Sequence, residues 1–275
     1  MLVDQIKAHV YKHRVMYVVL GVLFILYINN QSKPKRNVVA FDLDETLGNF
    51  GEVGLFMSGL EAFVGRKLTR AETFHVFDLF PEYFRPYILN CLAMLRDAKK
   101  EDPSLLVVIY TNNYGPKDWA TSIARYLETK IKYKLFDQII GIYKWGNVTV
   151  EKMRTTNEKT MDDLRRVMRL DEQVNVCFVD NLLHDKMKDS YYIHCSDYRH
   201  SISFAKMMER FMKATPDFVR GEHRLEFRNI MIKFFEGHAY TKYTRTEGDM
   251  KTSQAILTHL ALFLKDPTKK CYVNV

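Results

Sequence analysis

The sequence lacks the glycine-rich motifs that mark two common classes of nucleotide-binding fold. It contains no Gly-x-Gly-x-x-Gly and no Gly-x-x-x-x-Gly-Lys segment, so neither a Rossmann cofactor site nor a P-loop is supported. It also lacks any Cys-x-x-Cys pair, because its four cysteines are scattered at Cys91, Cys177, Cys195 and Cys271. This spacing is typical of reduced, structural thiols and argues against an oxidising compartment.

The central part of the chain lacks an excess of basic residues, although the whole chain carries a net charge of +8. Residues 1–36 hold six Lys and Arg against one acid, and residues 201–275 hold thirteen against eight. Residues 37–200 therefore have a net charge of about −2. A basic platform for nucleic acid is absent from this part, so direct nucleic-acid binding is not expected.

An uncharged segment runs from Val15 to Ser32, and its apolar part, residues 15–28, is a candidate membrane anchor. As a helix that part spans about 21 Å, which is marginal for a hydrocarbon core of about 30 Å. A buried core helix and a cleaved signal peptide are the alternatives. Three Lys and Arg flank each side, so charge does not orient the segment. We expect the domain that follows such a single-pass anchor to face the cytosol or nucleoplasm, because the cysteine spacing is typical of reduced thiols.

Two carboxylates follow the first predicted strand. Residues 37–41 are apolar or small, as in a buried parallel strand, and Asp42 and Asp44 come directly after them. A period of two places both acids on one side of the strand end, a few ångströms apart. Two such carboxylates repel each other unless a divalent cation or a proton lies with them. The alternative is an ordinary strand followed by a solvated acidic turn.

Apolar strands and amphipathic helices alternate along the chain, which predicts an α/β fold with a doubly wound, mostly parallel sheet. Further strands are predicted at 105–110, 138–143, 175–179 and 191–194, and helices from Thr69, from Arg85, over 117–130, from Thr160 and over 204–211. Segment 48–65 contains five glycines and predicts a loop or small flap over the site. Residues 214–275 predict a helical C-terminal extension without chemistry of its own.

Polar residues also follow two other predicted strands. Thr111 and Asn112 follow the second strand, and Asp180 and Asn181 follow the fourth. Lys159 stands at the start of the helix that precedes the fourth strand. Each of these alone is typical of a turn or a helix cap. Because the carboxyl ends of parallel strands meet at one edge, they are expected to form one site together with the two acids.

This combination resembles the haloacid dehalogenase superfamily. Within it, Phe-Asp-Leu-Asp-Glu-Thr-Leu with Arg85-Pro86 resembles the RNA polymerase II C-terminal-domain phosphatases, including the membrane-anchored Dullard-like members. The resemblance covers residues 37 to about 213. The resemblance implies a phosphatase-like catalytic domain at 37–213. The sequence pattern predicts an anchor and basic tether at 1–36 before it and the helical extension at 214–275 after it.

The resemblance also implies a role for each site residue. Asp42 would attack phosphorus and form an aspartyl-phosphate, and Asp44 would act as general acid and base. Thr111 and the backbone N–H of Asn112 would bind phosphoryl oxygens, and Lys159 would offset the charge of the transition state. The ligands of Mg²⁺ would be Asp42, the backbone carbonyl of Asp44, Asp180 and Asn181. The implied substrate is phosphoserine or phosphothreonine of a protein. A non-catalytic membrane-tethered adaptor, like the mitochondrial import receptor with this domain, and a small-molecule phosphatase are the alternatives.

Several positions depart from the family pattern. Tyr-Thr-Asn-Asn replaces the usual Phe-Thr-Ala-Ser, and Lys159 precedes Thr-Met-Asp-Asp-Leu, so Lys152 is a rival for the motif lysine. After Asn181 the usual Ser-Pro is replaced by Leu-Leu-His-Asp, which makes Asp185 a candidate for an additional metal-site acid. Three histidines match no metal-ligand spacing and are interpreted as surface or internally paired groups; they are His184, His194 and His200.

Overall fold

The computed structural model describes residues 16, 18–23, 36–115, 118–238 and 241–275. The chain forms two compact units, Met1–Lys35 and Arg36–Val275. In the first, Met16 and residues 18–23 are helical with exposed side chains. Most of the predicted anchor at 15–28 and of its tether lies outside the described residues. No helix within the described ranges is long and apolar enough to cross a membrane, and the anchor stays a prediction.

The second unit contains a six-stranded sheet and a two-stranded hairpin. Its strands are β1 Asn37–Phe41, β2 Leu106–Tyr110, β3 Gln138–Ile140, β4 Lys144–Trp145, β5 Val148–Thr149, β6 Asn175–Asp180, β7 Tyr191–His194 and β8 Cys271–Asn274. Its α-helices are α1 Gly51–Val64, α2 Arg70–Leu79, α3 Ile88–Glu101, α4 Trp119–Ile131, α5 Met161–Met168, α6 Phe204–Ala214, α7 Arg224–Phe235 and α8 Glu247–Lys265. The strands and helices expected between residues 37 and 213 are thus present, with boundaries shifted by a few residues.

The large sheet has the order β3-β2-β1-β6-β7-β8, and every neighbouring pair is parallel. Strand β1 lies in the middle, and the chain leaves it first toward β2 and β3, then crosses to β6 on its other side. The order therefore reverses between β1 and β6. In open α/β sheets, ligands bind outside the carboxyl ends of the strands at such a reversal.

Both faces of this sheet are covered by helices, which confirms the doubly wound α/β prediction. Val39 and Phe41 of β1 point into a large apolar core formed with helices α1 to α4 and α6 to α8. Val38 and Ala40 point to the opposite face, which α5 covers through Met161, Leu164 and Val167. This alternation is the expected pattern of a strand that is buried on both sides.

Segment 48–65 is not the loop that the sequence predicted, because residues 51–64 form the helix α1. Its glycines permit close packing. A Cβ placed on Gly59 would lie 2.5 Å from the sulfur of Met231 in α7, so the two helices approach more closely than larger side chains would allow. The helix buries residues on more than one side, so its apolar residues do not recur with the helical period that would predict a helix from the sequence.

The C-terminal segment 214–275 is also not a purely helical extension. It ends in β8, which pairs with β7 along the register Tyr191 to Cys271 and extends the main sheet. The buried side chains of α7 and α8 belong to the same core as the sheet; they are Phe227, Met231, Ile256, Leu260 and Phe263. The segment is therefore an integral part of the Arg36–Val275 unit.

Candidate functional site

Asp42 and Asp44 lie just beyond the carboxyl end of β1, at the point where the strand order reverses. The backbone N–H of Asp42 donates to the carbonyl of Val179 at 2.9 Å, so this residue is still attached to β6. The Asp42 side chain is buried and that of Asp44 is partly buried. The structure thus places the two acids where the sequence predicted them.

Lys159 joins the ends of β1 and β6. Its ammonium group, which is 2% exposed, donates to the carboxylate of Asp42 and at 2.6 Å to that of Asp180. Lys152, the rival candidate, is exposed. Burial alone would lower the pKa of Lys159, but the two carboxylates outweigh it and the pKa is raised. Lys159 therefore stays cationic and is the lysine of the site.

Burial makes the ionised forms of both acids costly. It raises the pKa of Asp42 to about 6, because loss of water and the nearby Asp180 outweigh the attraction of Lys159. It also raises the pKa of Asp44 to about 6, although a hydrogen bond from the side-chain amide of Asn113 at 2.7 Å opposes the shift. Each acid can thus exchange a proton near neutral pH.

The segment after β2 supplies the next side of the site. Thr111 is buried, and its hydroxyl oxygen accepts a hydrogen bond from the backbone N–H of Asn113 at 2.9 Å. The Asn112 side chain points to a different loop, where it donates to the carbonyl of Asn157 at 2.7 Å and accepts from Arg154 at 2.9 Å. Asn113, which the sequence analysis did not select, is thus the side chain that contacts Asp44.

Asp180 and Asn181 end β6 on the other side of the acids. Asp180 is fully buried, and its second oxygen accepts from the backbone N–H of Leu182 at 2.7 Å. Thr46 donates to the side-chain oxygen of Asn181 at 3.0 Å, and its own oxygen accepts from the Asn181 backbone N–H at 3.1 Å. The loop after β1 and the turn after β6 are therefore tied together by one hydroxyl group.

Two buried arginines hold the loops that carry the site. Arg85 donates to the backbone carbonyls of Glu45 and Thr46, both at 2.6 Å, and of Ser196 at 2.7 Å. Arg154 donates to carbonyls at both ends of the loop before Lys159, including that of Gly141 at 2.6 Å. The first lies in the motif that the sequence analysis used, whereas no spacing in the sequence identified the second.

Two residues after β6 differ from the sequence interpretation. Asp185 is no additional metal-site acid, since its carboxylate is exposed and pairs with Lys188 at 2.6 Å. His184 is not a surface group and is not internally paired. It is 9% exposed, its Nε2 has no hydrogen-bond partner among the described residues, and it lies 3.6 Å from Asp180. Burial and Lys159 lower its pKa to about 4, so the ring is neutral at pH 7. The conformation of this turn, which the sequence does not specify, places His184 inside the fold and Asp185 on the surface.

His194 agrees better with the sequence interpretation, because one ring nitrogen contacts the Asn181 carbonyl at 3.0 Å and the other the hydroxyl of Tyr272 at 2.7 Å. His200 is buried, and its Nδ1 has no hydrogen-bond partner among the residues that the structure covers. It is therefore neither a surface group nor a paired one. It does not line the cleft at the sheet edge.

The site opens into a cleft of about 860 Å³. Its floor includes the predicted residues Asp42, Asp44, Thr111, Asn112, Lys159 and Asn181, together with His184. One wall is formed by α1 and by Trp119 at the start of α4. A cleft of this size exceeds the needs of a phosphate group alone and has room for the rest of a substrate.

The predicted magnesium ligands suit such an ion in donor type and in charge. Within the described ranges, no three His, Cys, Asp or Glu side chains form a ready-made metal-binding group. The oxygens of Asp42, Asp44, Asp180 and Asn181 are nevertheless the kind that Mg²⁺ prefers. When ionised, the three carboxylates outnumber Lys159 and leave a net charge of −2 that a divalent cation would neutralise. Magnesium binding stays a prediction.

Comparison with known proteins does not assign this chain to a family. No family model matches it, and no curated protein matches it. A protein of unknown function from Bordetella pertussis Tohama I is 16% identical over 68% of this chain and 100% of its own, with a TM-score of 0.28. A "putative hydrolase of the alpha/beta superfamily" from Xanthomonas campestris pv. campestris is 11% identical over 84% of this chain and 99% of its own, with a TM-score of 0.17. These TM-scores are too low to indicate a shared fold, and we take neither fold nor function from them.

Proposed function

We propose that this protein is a magnesium-dependent phosphatase of the haloacid dehalogenase type, acting through an aspartyl-phosphate on phosphoserine or phosphothreonine of a protein. One observation carries the proposal. Asp42 is a buried carboxylate at the reversal of the strand order, paired with the cation of Lys159 and next to a second acid whose pKa is about 6. This is the arrangement that a nucleophile, a charge-compensating cation and a general acid require.

The reaction divides into two displacements. In the first, a carboxylate oxygen of Asp42 forms a bond to phosphorus while the ester oxygen leaves and takes the proton of Asp44. In the second, Asp44 removes a proton from water and the water oxygen bonds to phosphorus. The bond between phosphorus and the Asp42 oxygen breaks, which regenerates the Asp42 carboxylate and frees inorganic phosphate. Lys159, Thr111 and the backbone N–H of Asn112 would bind phosphoryl oxygens throughout. Magnesium, when bound, would neutralise charge between the phosphoryl group and the carboxylates.

Hydrolysis of an aryl phosphate and of a phosphoserine peptide by the full chain with Mg²⁺ tests the proposal. Asp42→Asn should lower kcat/KM on both substrates by about 10³-fold or more, because it removes the nucleophile. Asp44→Asn should affect the peptide more than the aryl ester, since an alkoxide leaving group needs the proton more than a phenolate does. Asp185→Asn is the matched control, and this exposed position should leave both rates unchanged. Full activity of the Asp42 variant would exclude the mechanism.

A small-molecule phosphatase is the second candidate, and the cleft volume favours it. About 860 Å³ lies within the usual range for sites that enclose a small ligand. Measuring kcat/KM on a phosphopeptide library and on a panel of metabolite phosphates separates the two functions. Higher values on the peptides favour a protein phosphatase, and higher values on the metabolites favour a small-molecule phosphatase. A thermal shift with beryllium fluoride and Mg²⁺ tests the adaptor alternative. These ions should raise the Tm of an enzyme that forms an aspartyl-phosphate and should leave the Tm of a non-catalytic adaptor unchanged.

A further inference from the structure

Six large apolar side chains lie exposed at the edge of the sheet that carries the cleft. They belong to the segments that follow β2, β3 and β6, and the carboxyl ends of these parallel strands meet at that edge. Each is 50–66% exposed, and together they form a surface that we call the apolar rim: Tyr114, Trp145, Val148, Val150, Leu182 and Leu183. Tyr114 and Leu182 also line the cleft. Exposed apolar side chains concentrated in one place mark a contact surface.

The β4–β5 hairpin contributes three side chains of the rim on one of its faces. Trp145 pairs with Val148 across the hairpin. The backbone N–H of Val150 donates to the carbonyl of Tyr143 at 2.8 Å, which continues the pairing beyond β5. Because side chains alternate between the two faces of a strand, Trp145, Val148 and Val150 share one face. The hairpin is therefore amphipathic, and its apolar face is exposed.

Trp145 also connects the hairpin to the mouth of the cleft. Its ring stacks on the ring of Tyr114, with centroids 4.2 Å apart and an angle of 5° between the planes. Both side chains are more than half exposed despite this stacking. Tryptophan and tyrosine are enriched where lipid meets water, because each combines an apolar ring with one polar group.

Basic side chains accompany the apolar face of the hairpin. Lys144 pairs with Thr149 on the opposite face, and Lys152 follows the hairpin; both lysines are exposed. Glu151 is the one acid between residues 143 and 153, so this segment carries a net charge of +1. Lysines beside an apolar face are attracted to anionic lipid, and their long stems keep the ammonium group in the headgroup layer.

We infer that the apolar rim contacts a lipid bilayer, with Trp145, Val148 and Leu182 at the boundary between the headgroups and the acyl chains. The hairpin is a two-stranded sheet of its own, so its apolar face projects and does not form a groove. A projecting face enters a fluid surface, whereas a protein partner would need a pocket to receive it. The lysines fit an anionic surface. The uncharged segment from Val15 to Ser32 independently indicates a bilayer from the sequence.

Tryptophan fluorescence tests this contact at the rim itself. The chain has two tryptophans, so Trp119→Phe leaves Trp145 as the one reporter. The full chain with this substitution is added to vesicles of phosphatidylcholine, with or without phosphatidylserine, whose acyl chains are plain or brominated. Emission from Trp145 should shift to shorter wavelength and be quenched by the brominated chains, more strongly with phosphatidylserine. This signal reports the position of Trp145, whatever else holds the chain at the vesicle.

Trp145→Phe is the control for the reporter. It leaves Trp119, which packs against Phe77 in the wall of the cleft. Brominated chains should quench this tryptophan much less than Trp145.

Two neighbouring substitutions separate the faces of the hairpin. Val148→Asp places a charge on the apolar face, and Thr149→Asp places the same charge on the opposite face. Both positions are exposed, so the Tm of each variant should stay close to that of the parent protein. In the Trp119→Phe background, Val148→Asp should abolish the quenching of Trp145, whereas Thr149→Asp should retain most of it.

Absence of quenching on both kinds of vesicle would overturn the inference and would leave a protein partner to cover the rim. Equal losses in the two aspartate variants would also overturn it. A shift of Trp145 emission that grows with protein concentration in the absence of vesicles would identify a second copy of the chain as the occupant, again against a bilayer. None of these measurements needs turnover, so their outcome is separate from that of the proposed phosphatase activity.

Discussion

At the scale of single residues, Lys159 is a buried cation that pairs with two buried carboxylates. Removing one partner of a buried ion pair leaves uncompensated charge. Lys159→Met should therefore lower the free energy of unfolding by about 3 to 5 kcal/mol at pH 7.5. The loss should shrink at pH 5, where the carboxyls of Asp42 and Asp180, whose pKa values are raised, can hold protons. Urea denaturation at the two pH values measures both effects.

Lys152→Met is the control for this prediction. Lys152 carries the same charge seven positions earlier but is exposed, so its removal should change stability by less than about 0.5 kcal/mol. A comparable loss in both variants would contradict the assignment of Lys159 as the lysine of the site.

Asp44 links stability to pH. Its folded-state pKa of about 6 exceeds the ordinary value of 3.8, so the folded state holds the proton more tightly. The resulting stabilisation is complete below about pH 4 and is lost as pH rises through 6. Asp44→Asn removes this dependence. The free energy of unfolding of the variant relative to wild type should therefore rise by about 2 to 3 kcal/mol between pH 4 and pH 8 in EDTA.

Denaturant titrations at the two pH values provide this measurement. Asp185→Asn serves as the comparison, because that exposed carboxyl pairs with Lys188 and has a lowered pKa. It should show no gain toward pH 8. A gain as large in the Asp185 variant as in Asp44→Asn, or none in either, would contradict burial as the cause of the Asp44 shift.

At the scale of secondary-structure elements, α5 positions Lys159. Thr160 caps this helix by accepting from the backbone N–H of Asp163 at 3.0 Å. Thr160→Ala should lower the free energy of unfolding by about 1 kcal/mol and, because Lys159 directly precedes the cap, reduce kcat/KM severalfold. Thermal denaturation and aryl phosphate kinetics measure the two effects.

The cap of α8 provides the matched variant. Thr246 accepts from the backbone N–H of Asp249 at 3.1 Å, away from the cleft. Thr246→Ala should cost a similar amount of stability and leave kcat/KM unchanged. If both variants lost activity equally, general loosening of the fold would explain the effect, and α5 would have no special role.

Elements with a strong local signal could be predicted from the sequence. The apolar runs that end in Asp42, Thr111 and Asp180 mark three strands whose ends meet, and the caps at Thr69 and Thr160 mark helix starts. The helix α1 could not be predicted, because glycines in a sequence indicate a loop, whereas Gly59 serves the packing of α1 against α7. Strand β8 has only four residues, and it forms a strand because the edge of β7 is there to pair with.

Within the site, the acids could be predicted from their positions after strands and Lys159 from its position at the start of a helix, but the supporting contacts could not. Arg154 follows the β4–β5 hairpin and donates to the Gly141 carbonyl, which precedes that hairpin, and no sequence period links the two residues. The inward position of His184 and the outward position of Asp185 depend on the backbone of a short turn. Residue type and spacing do not determine such a turn, because the choice is made by packing against Phe178 and Tyr192.

At the scale of the whole molecule, the segment 214–275 should be required for folding. Six of its apolar side chains lie in the common core, and burial of each contributes about 1.5 to 3 kcal/mol. Their sum is comparable with the whole stability of a typical domain. A chain that ends at residue 213 should therefore be insoluble or lack a cooperative thermal transition, as measured by calorimetry.

Deletion of residues 1–35 is the control for the chain that ends at residue 213. The unit Arg36–Val275 contains its own core, so its thermal transition should be retained. A cooperative transition in the chain that ends at residue 213 would show that the C-terminal segment is a separate extension, as the sequence had suggested.

The membrane anchor is tested on the full chain by carbonate extraction. We expect the protein to remain in the membrane pellet and to be released when residues 1–35 are deleted, because the uncharged segment from Val15 to Ser32 would no longer be present. Release of the full-length protein would contradict an anchor at residues 15–28.

The hydrogen bonds between Thr46 and Asn181 have a consequence for biosynthesis, since they join residues 135 positions apart. At about 5 to 20 residues per second, a ribosome needs roughly 7 to 27 s to reach Asn181 after Thr46. During that interval β1 exists as an apolar segment with no β6 beside it. Long-range parallel pairing is slow and prone to aggregation. We therefore expect the strand at the centre of the site, which waits longest for one of its neighbours in the sheet, to be exposed to aggregation during synthesis.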